Sequence, residues 1–121
     1  MNKPSTCPHF LMCSGCTLEN ILKPPIWKEA LLFFKSHGIN PKLFSLGFDG
    51  VRYKAKLAVR PGPEIGLFMK NSHEVISIPS CLIHHPSINQ AVKIIKEEMI
   101  NEKLSAYDER SLKGTLRYLQ L

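Results

Sequence analysis

The spacing of apolar residues predicts two helices. Between Ile26 and His37 apolar side chains recur on one face, and Gly38 is suited to end the segment as a left-handed cap. Pro86 opens a second helix, expected from about Ser87 to Asn101. We expect both apolar faces to pack against the core. The faces comprise Trp27, Ala30, Leu31 and Phe34 in the first helix and Ile88, Ala91, Val92, Ile95 and Met99 in the second.

Alternating and β-prone segments predict an antiparallel sheet. The clearest alternation runs from residue 52 to 60, and turns then lead into strands at 64–69 and 74–79, a pattern typical of a meander. We expect a short extended piece at 43–46 and a last strand at 115–121. The predicted fold class is α+β, with a small antiparallel sheet backed by two helices. In the strand at 52–60, the apolar face would carry Tyr53, Ala55, Leu57 and Val59, and the cationic face Arg52, Lys54, Lys56 and Arg60.

All four cysteines of the chain fit one metal site. Cys7, Cys13 and Cys16 form a C-x5-C-x2-C triplet in a loop-like arm, and Cys81 follows much later in the chain. Four thiolates can close a tetrahedral metal site or hold an iron–sulfur cluster. Structural zinc sites mostly use two short pairs, whereas a triplet with one remote cysteine suits a [4Fe–4S] cluster. Zinc and unliganded buried thiols remain alternatives.

Composition and charge indicate the partner and the compartment. The chain has 121 residues, 44% of them apolar, which is typical of a folded domain. A net charge of +6 and a pI near 9.3 favour a polyanionic partner, because a basic surface concentrates phosphates. We see no signal core and no apolar run of membrane-spanning length, so we expect a cytoplasmic protein with no membrane partner. Cytoplasmic thiols stay reduced, which favours metal binding over disulfides.

The cationic strand face is a candidate RNA-binding surface. Its residues are Arg52, Lys54, Lys56 and Arg60, and Lys70, Lys113 and Arg117 are candidates to lie nearby. The alternative is a solvated sheet face, because antiparallel sheets often leave one side to water. The residues alone do not decide between these two interpretations.

Five stretches, in the same order along the chain, resemble one family. They are CPHFLMCSGCTL at 7–18, RYKAKLAVR at 52–60, GLFMKNSH at 66–73, IPSC with PSIN at 78–89, and GTLRYLQL at 114–121. Together they resemble the N-terminal and central part of the RNA (uracil-5-)-methyltransferases, over nearly the whole chain.

The resemblance implies cofactors, a reaction and site residues. It implies a [4Fe–4S] cluster on Cys7, Cys13, Cys16 and Cys81, and S-adenosylmethionine-dependent methyl transfer to carbon 5 of a uridine in ribosomal or transfer RNA. It also places Arg52 and Lys54, from the family's Arg-x-Lys-Ala motif, toward the RNA.

In the family the donor site, the nucleophilic cysteine and the carboxylate base belong to a domain C-terminal to the matched part. We therefore expect this chain to be inactive by itself and to bind S-adenosylmethionine only through that domain, either truncated or separately encoded. The expected organisation is a cysteine-rich arm at 1–25, a helix and connector at 26–47, and an RNA-facing α+β domain at 48–121. Alternatives are a free-standing zinc-stabilised RNA-binding module and an iron–sulfur redox protein.

Overall fold

The computed structural model describes residues 5–22, 26–44 and 46–121. Both predicted helices and four of the predicted strands are present, and the first and last of these strands are shorter than expected. Parts of the predicted arm, at residues 1–4 and 23–25, lie outside the described residues. The elements are α1 at Ile26–Ser36, β1 at Lys56–Arg60, β2 at Glu64–Phe68, β3 at Val75–Ser77, α2 at Pro86–Asn101 and β4 at Tyr118–Gln120.

The four strands form one antiparallel sheet in the order β3-β2-β1-β4. The predicted meander of β1, β2 and β3 is confirmed. After α2 the chain returns to the open edge of β1, where Leu57 lies opposite Leu119 and Ala58 opposite Tyr118. The α+β class is therefore confirmed, and β4 forms an edge of the sheet next to β1.

The first strand is shorter than its alternation predicts. Residues 52–54 leave the sheet because Arg52 pairs with another segment: its N–H donates to the Ile83 carbonyl at 2.8 Å, and its carbonyl accepts from the His85 N–H at 2.9 Å. Ala55 still exchanges two hydrogen bonds of 2.9 Å with Leu121. Tyr53 is consequently 72% exposed, so its predicted place on the apolar face is wrong. The predicted extended piece near Leu43 contains no strand among the described residues 43, 44 and 46.

One face of the sheet packs against α2. Leu57 and Val59 of β1 and Ile65 of β2 are almost fully buried, and the predicted inner face of α2 covers them. The expectation that α1 shares this core is wrong for the side chains that the structure describes: none of residues 27–36 belongs to the core cluster. The core cluster comprises Ala55, Leu57, Val59, Ile65, Ile88, Val92 and Met99.

The predicted cap of α1 at Gly38 is confirmed. Gly38 has a φ of +72°, in the left-handed region. Its N–H donates to the Lys35 carbonyl at 3.0 Å, and the Ile39 N–H donates to the Phe34 carbonyl at 2.9 Å. These two bonds form a Schellman motif, which satisfies carbonyls at the helix end. The first helix is therefore well terminated although it lies outside the core.

Candidate functional site

Backbone hydrogen bonds close the N-terminal arm into a loop. The Cys7 N–H donates to the Glu19 carbonyl at 2.8 Å, and the Ile21 N–H donates to the Ser5 carbonyl at 3.0 Å. Ile21 is buried, so the end of the loop has an apolar contact of its own. The loop thus holds its three cysteines between two paired ends.

The arm is also attached to the end of β2. The Ser14 N–H and hydroxyl both donate to the Phe68 carbonyl, at 3.1 and 2.8 Å. Lys70 donates its backbone N–H to the Met12 carbonyl at 2.7 Å and its Nζ to the Phe10 carbonyl at 2.8 Å. These bonds fix the loop that contains Cys13 against the sheet.

The fourth cysteine, Cys81, is positioned by α2. The Cys81 N–H donates to Asn89 Oδ1 at 3.0 Å, and Asn89 Nδ2 donates to the Cys81 carbonyl at 3.0 Å. Asn89 lies in the first turn of α2, whose cap is the side chain of His85. Cys81 is therefore held by the helix that packs on the sheet.

The four cysteines converge on one cavity of about 20 Å³. Arg52 lines the same cavity, and both of its terminal nitrogens donate to the Gly15 carbonyl at 3.4 Å. Among residues 5–22, 26–44 and 46–121, no three His, Cys, Asp or Glu side chains lie close enough to hold a single metal ion. The described residues that line the cavity supply four thiols, the imidazole of His9 and no carboxylate, a donor set that fits soft-metal or iron–sulfur chemistry.

Burial and neighbouring groups alter the acidity of the Cys13 thiol. Burial raises the pKa of Cys13, and the nearby Cys16, Cys81 and Cys7 raise it further, against a hydrogen bond from the Gly15 N–H that lowers it. That bond joins the Gly15 nitrogen to the Cys13 Sγ at 3.2 Å. The other three thiols thus lie close enough to Cys13 to disfavour its ionisation, which a bound cation would reverse.

A buried histidine lies beside the cysteine cavity. His84 is almost fully buried, and burial lowers its pKa, as does the positive charge of Arg52, against a hydrogen bond with Asn89. His84 is thus favoured in its neutral form. Asn89, which the sequence analysis did not select as a site residue, links this histidine to Cys81.

The four residues of the expected cationic face do not share one surface. Lys54 and Lys56 are exposed, whereas Arg52 is half-buried at the cysteine cavity. Arg60 is only 8% exposed, and its guanidinium donates to Glu109 Oε1 at 2.6 Å. The expected placement of Arg60 on an open cationic face is therefore wrong, because a carboxylate and aromatic rings enclose it.

The aromatic rings around Arg60 are those of Phe68, Tyr107 and Tyr118. Sequence analysis did not select Tyr118 as a site residue. Arg60 and Arg117 lie 5.5 and 5.6 Å from the centre of the Tyr118 ring, and the Lys56 Nζ lies 4.7 Å from it. A hydrogen bond with Arg60 lowers the pKa of Tyr118. The alternation of β4 would have placed Tyr118 beside Lys56 only if the pairing of β4 with β1 had been known.

The chain is similar to proteins named uncharacterized RNA methyltransferase. The relative from Protochlamydia amoebophila is 49% identical over 118 residues, which cover 95% of this chain and 30% of the relative. The relative from Bacillus cereus is 30% identical over 125 residues, covering 92% of this chain and 27% of the relative. No protein-family model matches the chain. The chain thus spans less than a third of the length of these curated relatives.

A solved structure has the same fold. The Pyrococcus abyssi tRNA (uracil-54, C5)-methyltransferase, in complex with S-adenosyl-L-homocysteine, superposes with a TM-score of 0.63 at 24% identity, over 94% of this chain and 29% of that chain. Sequence and fold therefore define the class: the chain corresponds to an N-terminal part of RNA methyltransferases. The resemblance to the RNA (uracil-5-)-methyltransferases is confirmed for this part.

No described helix has both the length and the apolar character needed to cross a membrane.

Proposed function

We propose that this chain is the RNA-recognition and scaffold part of an S-adenosylmethionine-dependent methyltransferase that modifies carbon 5 of a uridine in ribosomal or transfer RNA. A [4Fe–4S] cluster on Cys7, Cys13, Cys16 and Cys81 holds its N-terminal arm. The observation that carries the proposal is the convergence of all four cysteines on one cavity in a chain similar to RNA methyltransferases.

The proposed role of the cluster is structural. Four thiolates satisfy the four irons of a cubane cluster, so no position stays open for substrate. When bound, the cluster supplies iron–sulfur bonds that join the arm to the loop before α2. Asn89 holds Cys81 in place from its own helix, while Ser14 and Lys70 hold the arm to β2. The site is thus a tether between two parts of the chain that are far apart in sequence.

RNA binding is proposed for the exposed cations. Lys54 and Lys56 are exposed and belong to a chain of net charge +6, so phosphates are their natural partners. Arg52 stays in the proposal through its position: its guanidinium links the arm to the segment that carries Lys54. Arg60 is left out of the proposed RNA-binding surface, because Glu109 and aromatic rings already surround it.

Methyl transfer is proposed to need the part of the relatives that this chain does not cover. Carbon 5 of uracil is too weak a nucleophile to take a methyl group unless another nucleophile first adds to carbon 6. The four cysteines of this chain are assigned to the cluster, which leaves no thiol for that step. We therefore expect no turnover when the chain alone is mixed with RNA and S-adenosylmethionine, and any turnover would contradict the proposal.

Anaerobic purification tests the cluster. We expect close to four irons and four sulfides per chain, with a broad visible absorption that Cys81→Ser removes. Zinc in a colourless protein that still binds RNA would instead indicate a zinc-stabilised RNA-binding module. A cluster that is reduced and reoxidised without any RNA affinity would indicate a redox protein.

Salt-dependent RNA binding tests the surface. We expect the double variant Lys54→Ala/Lys56→Ala to bind RNA more weakly and to show a smaller slope of log affinity against log salt, by about one counterion per lysine. The matched control is Lys93→Ala/Lys103→Ala, which removes two exposed lysines outside the proposed surface. Equal losses in the two double variants would argue against Lys54 and Lys56 as the site.

A further inference from the structure

Seven large apolar side chains in and after α1 are exposed. Two of them are exposed almost completely, Phe44 by 88% and Leu46 by 107%. Scattered single apolar residues are normal on a protein surface, but so many within a short stretch mark an interaction site. We call this group the α1 apolar surface: Leu32, Phe33, Phe34, Ile39, Leu43, Phe44 and Leu46.

The α1 apolar surface has no role in the core of this chain. The sheet face that needs cover is already packed by α2, and none of the seven residues belongs to the core cluster. The predicted inner face of α1 is only half-buried at Trp27, Ala30 and Leu31. The amphipathic pattern of α1 thus demands burial that the described residues do not provide.

The helix is nevertheless well formed. It is eleven residues long and ends in the Schellman motif at Gly38. The Phe33 ring lies edge-on to the Phe34 ring at 5.6 Å and contacts the His37 ring at 4.6 Å. The apolar side chains are therefore presented by an ordered element, as an interface requires.

The relatives possess a further part that is available to cover this surface. The alignment with the Protochlamydia relative includes 95% of this chain, so α1 and its connector lie within it, yet it includes only 30% of the relative. The similar Pyrococcus abyssi chain likewise has more than two thirds of its length outside the matched part. A second copy of this chain is a poorer occupant, because each copy carries a net charge of +6.

We propose that the α1 apolar surface is the docking surface for the remaining part of the methyltransferase, the portion that the relatives possess beyond the matched region. The inference rests on the proposed function only in assigning this chain to such an enzyme. In this arrangement α1 packs against the remaining part, while α2 packs on the sheet. In this arrangement α1 and α2 pack into different cores.

A chimera tests the proposal in a full-length protein. Its sequence is the Protochlamydia relative with the matched region replaced by this 121-residue chain. Hydrogen exchange at residues 32–44 is compared between the chimera and the chain alone. We expect exchange at least tenfold slower in the chimera, and unchanged exchange in the exposed segment 109–114.

Substitutions locate the contact. Phe44→Asp/Leu46→Asp is expected to leave the melting temperature of the chain alone unchanged, because both side chains are already in water. The same pair is expected to lower the melting temperature of the chimera by about 4 °C or more. The matched control is Ile94→Asp/Leu112→Asp, two exposed apolar residues outside the surface, which is expected to change neither protein.

Several outcomes would overturn the proposal. One is a chimera whose two parts unfold independently or whose exchange at 32–44 matches the chain alone. Another is self-association of the chain, measured by sedimentation, that Phe44→Asp/Leu46→Asp abolishes, since this assigns the surface to a second copy. Iron content and RNA affinity are measured on the chain alone, so failure of the proposed function is distinguishable from failure of the docking surface.

Discussion

Asn89 holds both backbone polar groups of Cys81, with two hydrogen bonds of 3.0 Å each. The carboxamide accepts from the Cys81 N–H through Oδ1 and donates to its carbonyl through Nδ2, so two separate atoms of one side chain hold the cysteine. Because Asn89 belongs to α2, the position of the fourth cysteine depends on the packing of that helix against the sheet. The cysteine cavity and the core are therefore coupled through one side chain.

Replacing Asn89 should disturb both stability and metal content. Asn89→Ala leaves the Cys81 N–H without its partner and its carbonyl with only the bond from the His84 N–H at 3.2 Å, and we expect the free energy of unfolding to fall by about 2 kcal/mol. We also expect fewer irons per chain after anaerobic reconstitution. Urea unfolding and iron analysis measure the two effects. Gln90→Ala, at the exposed neighbouring position, is the control, and equal behaviour of the two variants would contradict the assignment.

Arg60 should matter for stability rather than for RNA binding. It donates to the carbonyls of Val59 and Arg117 at 2.9 and 3.2 Å, besides its ion pair with Glu109. We expect Arg60→Ala to lower the free energy of unfolding by about 2 kcal/mol in urea titrations. Arg110→Ala removes an exposed arginine nearby and should cost little. If Arg60→Ala were as stable as Arg110→Ala, the structural role would be refuted.

The buried His84 should make stability depend on pH. Burial and Arg52 lower its pKa in the folded protein, below the ordinary value of 6.5 that applies when the chain is unfolded. The unfolded chain therefore takes up the proton first as pH falls below 6.5, so the folded state loses stability by up to about 1.4 kcal/mol per pH unit for this one group. Unfolding free energies between pH 8 and pH 5 measure the effect. His84→Gln should flatten the slope relative to the exposed-histidine control His73→Gln.

Two glycines should respond very differently to substitution. A Cβ on Gly66 in β2 would lie 1.8 Å from the Ile76 carbonyl oxygen, so Gly66→Ala forces β2 and β3 apart. We expect a loss on the order of 3 kcal/mol or more. Gly38→Ala meets open space and bears only the left-handed backbone penalty, about 1 kcal/mol. Thermal unfolding of the two variants checks the order, and the reverse order would contradict the strand spacing.

Local pattern in the sequence was sufficient for the two helices and for the order of the strands. Periodicity and turn residues predicted α1, α2 and the meander, because amphipathic helices and short antiparallel strands depend on nearby residues. The resemblance to the RNA methyltransferases also followed from the sequence, and the comparisons confirm it. The pairing of Arg52 with Ile83 and His85 was not predictable in this way, since it joins segments that carry no shared pattern.

Tertiary structure decided which side chains face water. The same alternation that placed Arg60 on a cationic face could not reveal Glu109, which lies far along the chain and encloses it. The apolar pattern of α1 showed that the helix needs a partner but not that the partner lies outside the core formed by α2. The sequence alone showed the four cysteines and their spacing. Their meeting at one cavity depends on tertiary contacts, chiefly those of Asn89 with Cys81 and of Ser14 with Phe68.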